Sequence, residues 1–220
     1  HRSTFRASHR PINATLGIAG LPQSGTGQTA LITGVNAPRM IGKHFGPYPF
    51  STLKPVLQEH NLFRKLHDRG RSVFYANAFP HQFFDYLNSP RARMPVFSLS
   101  WVMAGYALHN SDMLEQGRAL SADITNERWH KLGYPGMPVL TPQQAGRKLV
   151  ELASEHDFVL YEYYLTDHAG HKQSMAGAEV VLKCLDQFLE GIDDALDMSS
   201  MLLIVTSDHG NLEDLTTKSH

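Results

Sequence analysis

Two short apolar runs in the last third of the chain are each followed by an aspartate and a histidine. The run at 201–205 is rich in branched side chains, which favours a strand buried on both faces of a parallel sheet. Asp208 and His209 follow it directly, and a run at 158–164 leads to Asp167 and His171. Because ligands bind at the carboxyl ends of strands in open α/β sheets, both pairs are predicted to lie near one site.

The remaining hydrophobic pattern predicts alternating helices and strands. Apolar residues at helical spacing predict helices over 55–68, 141–156 and about 175–196, and a β-branched and aromatic run predicts a buried strand over 72–76. The helix at 141 has Thr141 as a ready N-cap and Pro142 at its first position. The last helix is expected to bury a stripe formed by Val180, Val181, Cys184, Leu185, Phe188, Leu189 and Ile192. The fold class is therefore α/β, with a mostly parallel central sheet and helices on both faces.

A turn rich in glycine and hydroxyl residues at 20–35 enters a helix that starts near Gln28. A hydroxyl residue there lies beside free backbone N–H groups and the positive end of a helix dipole, which suit a phosphate-like anion. Ser24 is the candidate for chemistry. On spacing alone, an N-cap role for Ser24, Thr26 or Thr29 is equally open.

The region 77–142 interrupts this alternation with prolines, aromatic residues and basic residues. It is predicted to be a mostly helical insertion, either a lid that selects the substrate or a peripheral layer. The chain then divides into a first core part at 11–76, the insertion, and a second core part at 143–220. Weak candidates for binding an anionic substrate are Lys43, His44, Arg91 and Arg93, for which solvated surface positions are the alternative.

Composition narrows the function classes. The net charge is −1, with 20 basic and 21 acidic residues, so neither a nucleic acid nor a membrane is an expected partner. The single cysteine, Cys184, falls in a helical pattern and is interpreted as a small buried apolar residue. No apolar run approaches the roughly 20 residues that span a bilayer. A cytoplasmic location is the expectation, and the oligomeric state stays open.

The two Asp/His pairs are candidate metal ligands. If the segment after 164 is helical, Asp167 and His171 share one face and can chelate one ion. With Asp208, His209 and His220 they supply oxygen and nitrogen donors for two divalent ions such as Zn or Mn. For any one of these histidines, a solvated loop position is the alternative.

These motifs resemble those of the alkaline phosphatase superfamily, and within it the branch of cofactor-independent phosphoglycerate mutases, phosphopentomutases and metalloenzyme domain proteins. The ending V-T-S-D-H-G-N-L-E-D resembles the family's Asp-His-Gly-Asn motif, and T-D-H-A-G-H resembles its Asp-x-x-Gly-His motif. The resemblance implies that Asp208 and His209 bind one metal ion. It implies that Asp167, His171 and His220 bind the other.

The resemblance also implies a nucleophile. Family members place it ten positions before the glycine of a Thr-Gly or Ala-Gly pair, and Ser24 stands at that distance before Gly34. The implied activity is phosphoryl transfer on a small phosphorylated metabolite at two divalent ions, Mn or Zn, with Ser24 as nucleophile and metal ligand. A phosphoserine intermediate would give a phosphatase or a phosphomutase, and the sequence leaves both open.

Two departures from the family pattern support an alternative. The family's first strand, whose Asp-Gly pair supplies a metal ligand, does not appear in this sequence, and neither does the strand after the last histidine. The domain is therefore expected to be incomplete at both ends. The alternative function is a catalytically impaired metal-binding module of the same fold.

Overall fold

The structure is a computed structural model that describes residues 8–217. Two strands and eleven α-helices follow one another along these residues. In chain order they are α1 (Ser24–Thr33), α2 (Ala37–Ile41), α3 (Lys54–His60), α4 (Leu62–His67), β1 (Val73–Tyr75), α5 (His81–Leu87), α6 (Val96–Met103), α7 (Ser111–Glu115), α8 (Glu127–Lys131), α9 (Pro142–Ser154), β2 (Phe158–Leu160), α10 (Leu165–Lys172) and α11 (Met175–Ala195).

The sheet is parallel, as predicted, but smaller. Strands β1 and β2 pair with Val73 opposite Phe158, and they form the only sheet of two or more full strands among the described residues. The predicted strand at 201–205 is wrong, since this segment pairs with no described strand and Leu202 is 80% exposed. Met201 and Leu203 alone pack against the core. A strand can be buried on both faces only where neighbours cover it, and a run of apolar residues does not supply those neighbours.

The core is built on the two faces of β1. Successive strand residues point to opposite faces, so Phe74 joins a buried cluster with residues of α9 and α11. Val73 and Tyr75 point the other way and join residues of α1, α3, α4 and α6. Helix α6, from the region predicted as an insertion, therefore packs directly against α1 and the sheet.

Helices α9 and α11 pack with their backbones in close contact. A Cβ atom added to Gly146 would lie 2.2 Å from the carbonyl oxygen of Phe188, and one added to Gly191 would lie 2.2 Å from that of Gln143. Helix α9 begins as predicted, with a capping box between Thr141 and Gln144. Helix α11 also matches its predicted range. Its expected stripe is wrong at Val180, which is 71% exposed.

The predicted helix over 55–68 is divided into α3 and α4. Asn61 is extended there, and its side chain accepts a hydrogen bond from the backbone N–H of Arg64 at 3.0 Å. The break is stable because this side chain caps the second helix. The region 77–142 contains four short helices, α5 to α8, which cover 25 of its 66 residues, so it is less helical than predicted. Its role as an insertion or lid stays a prediction. No helix within residues 8–217 combines the length and the apolar composition that a membrane crossing requires.

Candidate active site

Ser24 is the first residue of α1, and its side chain faces the C-terminal part of the chain. The N-cap of α1 is Gln23, which makes no side-chain cap bond, so the interpretation of Ser24 as a cap is wrong. Its Oγ lies 2.8 Å from the Nε2 of His209. Thr26 and Thr29 instead donate to backbone carbonyls of residues 23 and 25.

His209 is held in a single tautomer. Its Nδ1 lies 2.7 Å from the carbonyl oxygen of Gly210, which can only accept a hydrogen bond, so Nδ1 carries the proton. Nε2 is then the basic nitrogen, and it accepts from the Ser24 hydroxyl. The carboxylate oxygen Oδ2 of Asp208 lies 3.7 Å from the same Nε2, and the His209 side chain is only 4% exposed.

Two glycines allow this close approach to α1. A Cβ atom on Gly27 would lie 2.7 Å from the backbone oxygen of Asp208. On another side of the helix, a Cβ atom on Gly25 would lie 2.2 Å from the backbone oxygen of Tyr48. The first turn of α1 is therefore clamped between the 45–48 loop and the segment that carries Asp208.

The second Asp/His pair lies on α10. Asp167 and His171 are one helical turn apart, as predicted, with 3.4 Å between the Asp167 Oδ1 and the His171 Nε2. Asn211 donates from Nδ2 to the same Oδ1 at 2.7 Å, and it also donates to the Asp167 carbonyl at 3.2 Å. Because Asn211 follows His209 by two positions, it links the two pairs. His220 lies outside the described residues.

The four weak substrate-binding candidates fall into two groups. Lys43 lies over the rings of Phe45 and Phe50, and His44 has its Nε2 3.2 Å from the carbonyl oxygen of Ile18. Arg91 and Arg93 are exposed and line an open cavity of about 580 Å³ with Tyr48 and Tyr86. Their role in binding a substrate stays a prediction.

A carboxylate that was not predicted, Glu162, lies beyond the end of β2. It accepts hydrogen bonds from the hydroxyl of Tyr75 at 2.8 Å and from the Nε2 of Gln28 at 3.1 Å. Its pKa is raised to about 7, chiefly by burial and also by the nearby charge of Asp208, while the hydrogen bonds from Tyr75 and Gln28 partly offset the rise. The signal that indicated Asp208 is an acidic residue just after an apolar run, and it also applies to Glu162. Glu162 was missed because it lies inside the range of the predicted strand at 158–164.

The donors around Ser24 fit a divalent metal ion in part. No group of three His, Cys, Asp or Glu side chains among the described residues is arranged to hold one. When the Ser24 hydroxyl is counted, however, Oγ, the His209 Nε2 and the Asp208 Oδ2 follow one another at 2.8 and 3.7 Å. Neighbouring ligands of a tetrahedral zinc ion lie roughly 3.3 Å apart. The Nδ1 bond to a backbone carbonyl is also the usual orientation of a metal-binding imidazole.

Comparison with known proteins identifies a family that matches the C-terminal part of the chain. Residues 137–220 match the family model described as the Metalloenzyme superfamily. The matched segment contains Asp167, His171, Asp208 and His209. The resemblance inferred from the motifs is therefore confirmed for this part of the chain.

Curated relatives match over shorter segments. The 2,3-bisphosphoglycerate-independent phosphoglycerate mutase of Pseudomonas syringae pv. syringae (strain B728a) is 32% identical over 89 residues, covering 39% of this chain and 17% of that protein. The protein of the same name from Pyrococcus furiosus is 29% identical over 85 residues, covering 34% of this chain and 21% of its own length. The chain thus spans no more than about a fifth of these relatives. No solved structure matches it significantly.

Proposed function

We propose that the protein is a divalent-metal-dependent phosphoryl-transfer enzyme that acts on a small phosphorylated metabolite, with Ser24 as nucleophile. The observation that carries this proposal is the 2.8 Å contact between the Ser24 Oγ and the Nε2 of His209. His209 belongs to the segment that matches the Metalloenzyme superfamily. A hydroxyl beside a basic nitrogen and a carboxylate is suited to nucleophilic attack.

The proposed reaction has two steps, transfer of the phosphoryl group to Ser24 and its release from Ser24. The Ser24 oxygen forms a bond to phosphorus while the ester P–O bond breaks, and the proton lost by Ser24 ends on the departing alcohol. The oxygen of a water molecule then forms a bond to phosphorus while the bond to the Ser24 oxygen breaks. A proton from that water restores the hydroxyl and inorganic phosphate leaves, which gives a phosphatase. If a hydroxyl of the retained substrate replaces water, the enzyme is a phosphomutase. The relatives are named as mutases, whereas for this chain both a phosphatase and a phosphomutase are open.

The donor chemistry suggests which residues would hold the metal ions. Ser24, Asp208 and His209 would bind one ion, and Asp167, His171 and His220 the other, with Mn or Zn as the proposed metals. Such ions would stabilise the serine alkoxide and neutralise charge on the phosphoryl oxygens. In the protein itself, His209 orients the Ser24 hydroxyl, and Asn211 holds the Asp167 carboxylate at 2.7 Å.

The direct test is release of phosphate from 4-nitrophenyl phosphate with Mn²⁺ or Zn²⁺ present. We expect Ser24→Ala to reduce turnover at least about 10³-fold, as loss of a nucleophile does. Ser111→Ala is the matched control, because Ser111 is also the first residue of a helix but lies on α7. Acid quenching with labelled substrate should trap phosphate on wild-type protein and not on Ser24→Ala.

The same assay, combined with a measurement of bound metal, can also contradict the proposal. Metal bound without any Ser24-dependent phosphate release would contradict the enzyme proposal. It would favour the catalytically impaired metal-binding module instead.

A further inference from the structure

Glu162 is fixed in place by its backbone. Its N–H donates to the Oδ1 of Asn77 at 2.8 Å, and the Nδ2 of Asn77 donates to the Glu162 carbonyl at 2.9 Å. Asn77 is only 2% exposed. This two-bond pairing extends the contact between β1 and β2 beyond their last strand residues, so the position of Glu162 is set by the sheet.

The Glu162 carboxylate connects this sheet end to α1. One oxygen accepts from the Tyr75 hydroxyl, which belongs to β1, and the other accepts from the Gln28 side chain, which belongs to α1. Gln28 lies four residues after Ser24, and residues at this spacing share a helix face. The hydrogen bond to Gln28 therefore acts on the face of α1 that presents Ser24.

Stability by itself does not explain why a glutamate at 162 faces a glutamine at 28. The Oε1 of Gln28 is buried and has no hydrogen-bond partner among residues 8–217, and such a group typically costs about 1–3 kcal/mol. A glutamine at 162 could accept from Tyr75 and donate to that oxygen. A carboxylate cannot donate, and its burial is unfavourable as well. A sequence that keeps an unfavourable buried polar arrangement is typical of a functional site.

We propose that Glu162 is a positioning residue for Ser24, which holds α1 through Gln28 and so keeps the Ser24 hydroxyl on His209. Its catalytic meaning rests on the function proposed above. The carboxylate itself touches neither Ser24 nor His209 in the described hydrogen bonds, so its effect passes through the helix.

Two variants separate this role from general stabilisation. Gln28→Met removes the link to α1, whereas Tyr75→Phe removes the other hydrogen bond of Glu162 and leaves that link intact. With 4-nitrophenyl phosphate, we expect Gln28→Met to lower kcat by about 10–100-fold with an unchanged KM, as loss of an outer-shell contact does. Tyr75→Phe should leave kcat within about threefold of wild type.

Hydrogen exchange supplies a readout that does not need turnover. The backbone amides of residues 24–33 should exchange faster in Gln28→Met and Glu162→Ala than in wild type. Glutamine has nearly the same shape as glutamate, so these amides should exchange as slowly in Glu162→Gln as in wild type. They should also exchange slowly in Tyr75→Phe. Slow exchange of α1 in Gln28→Met, or equal effects of Gln28→Met and Tyr75→Phe, would overturn the inference.

Failure of the proposed function would look different. If wild-type protein released no phosphate in a Ser24-dependent manner, the enzyme proposal would be contradicted. The exchange pattern of α1 would then decide by itself whether Glu162 holds this helix.

Discussion

Ser24 and His209 are 185 positions apart in the chain, and the Ser24 Oγ lies 2.8 Å from the His209 Nε2. Because the Nδ1 of His209 donates to the Gly210 carbonyl, Nε2 is the one basic nitrogen of this ring. The hydroxyl and a metal ion would therefore use the same lone pair. If a metal ion binds at His209, the hydrogen bond between Ser24 and His209 should be lost, and each of the two residues should bind the ion instead.

Metal binding should raise the stability of the protein. We expect a hundredfold excess of Mn²⁺ or Zn²⁺ over its Kd to stabilise the fold by about 2.7 kcal/mol, which is an increase of roughly 5–10 °C in the unfolding midpoint. EDTA should reverse the shift. Differential scanning fluorimetry at several metal concentrations measures both effects.

Two histidines of α10 provide a matched pair for the second ion. His171 lies 3.4 Å from the Asp167 carboxylate, whereas His168 is on the same helix and exposed. We expect His171→Asn to weaken metal binding in calorimetry by about tenfold or more, and His168→Asn to leave it unchanged. Equal effects of the two substitutions would remove His171 from the predicted ligand set.

Gly27→Ala should damage both stability and metal binding. Alanine favours helices over glycine by about 1 kcal/mol, but its Cβ would lie 2.7 Å from the backbone oxygen of Asp208. Backbone displacement of this kind typically costs about 1–3 kcal/mol, so the clash should dominate. Urea unfolding measures the change. The control is Gly177→Ala in α11, where the added atom would only touch the Ser174 side chain at 3.4 Å and should be neutral or stabilising.

Glu162 should make the metal-free protein less stable as the pH rises. Its pKa of about 7 in the folded state lies above its ordinary value of 4.5, so the folded state binds more protons between these values. Its contribution is therefore fully present below pH 4.5 and is lost as the pH passes 7, by roughly 1–3 kcal/mol.

The measurement is the difference in unfolding free energy between wild type and Glu162→Gln, taken from urea titrations at pH 5 to 8 with EDTA. The difference is needed because burial also lowers the pKa of His109 to about 4, and this opposes the effect of Glu162 over part of the range. Wild type should lose stability relative to Glu162→Gln with rising pH. A difference that does not vary with pH would contradict the raised pKa of Glu162.

Neighbouring leucines in the 201–205 segment should respond differently to truncation. Leu202 is 80% exposed, whereas Leu203 packs against the core cluster. We expect Leu203→Ala to lower the free energy of unfolding by about 1–3 kcal/mol and Leu202→Ala to change it by less than about 0.5 kcal/mol. Urea titration of the two variants side by side measures the contrast, and equal losses would show that Leu202 is also covered in solution.

Features that depend on local chemistry could be predicted from the sequence. Helix α9 begins where Thr141 and Pro142 indicate, because a cap satisfies backbone groups within a few residues of itself. Helix α10 places Asp167 and His171 one turn apart for the same local reason. Asn61 was missed as a helix boundary, although its capping side chain is a local signal too.

Features that depend on distant neighbours could not be predicted in this way. The 201–205 run has the composition of a buried strand, but burial requires other strands beside it. The contact of Glu162 with Gln28 joins residues 134 positions apart, and no spacing rule connects them. Placing Ser24 in the site came from the family resemblance, because its position in α1 alone would fit a cap equally well.

The separation of Ser24 from its partners has a consequence for synthesis. The imidazole of His209 and the carboxylate of Asp208, which face the Ser24 hydroxyl, are translated 185 and 184 residues after it. At about 5–20 residues per second, α1 waits on the order of ten seconds or more without them. During that time the growing chain has the Ser24 hydroxyl without the imidazole and the carboxylate, so the contact between Ser24 and His209 can form only after both segments have been made.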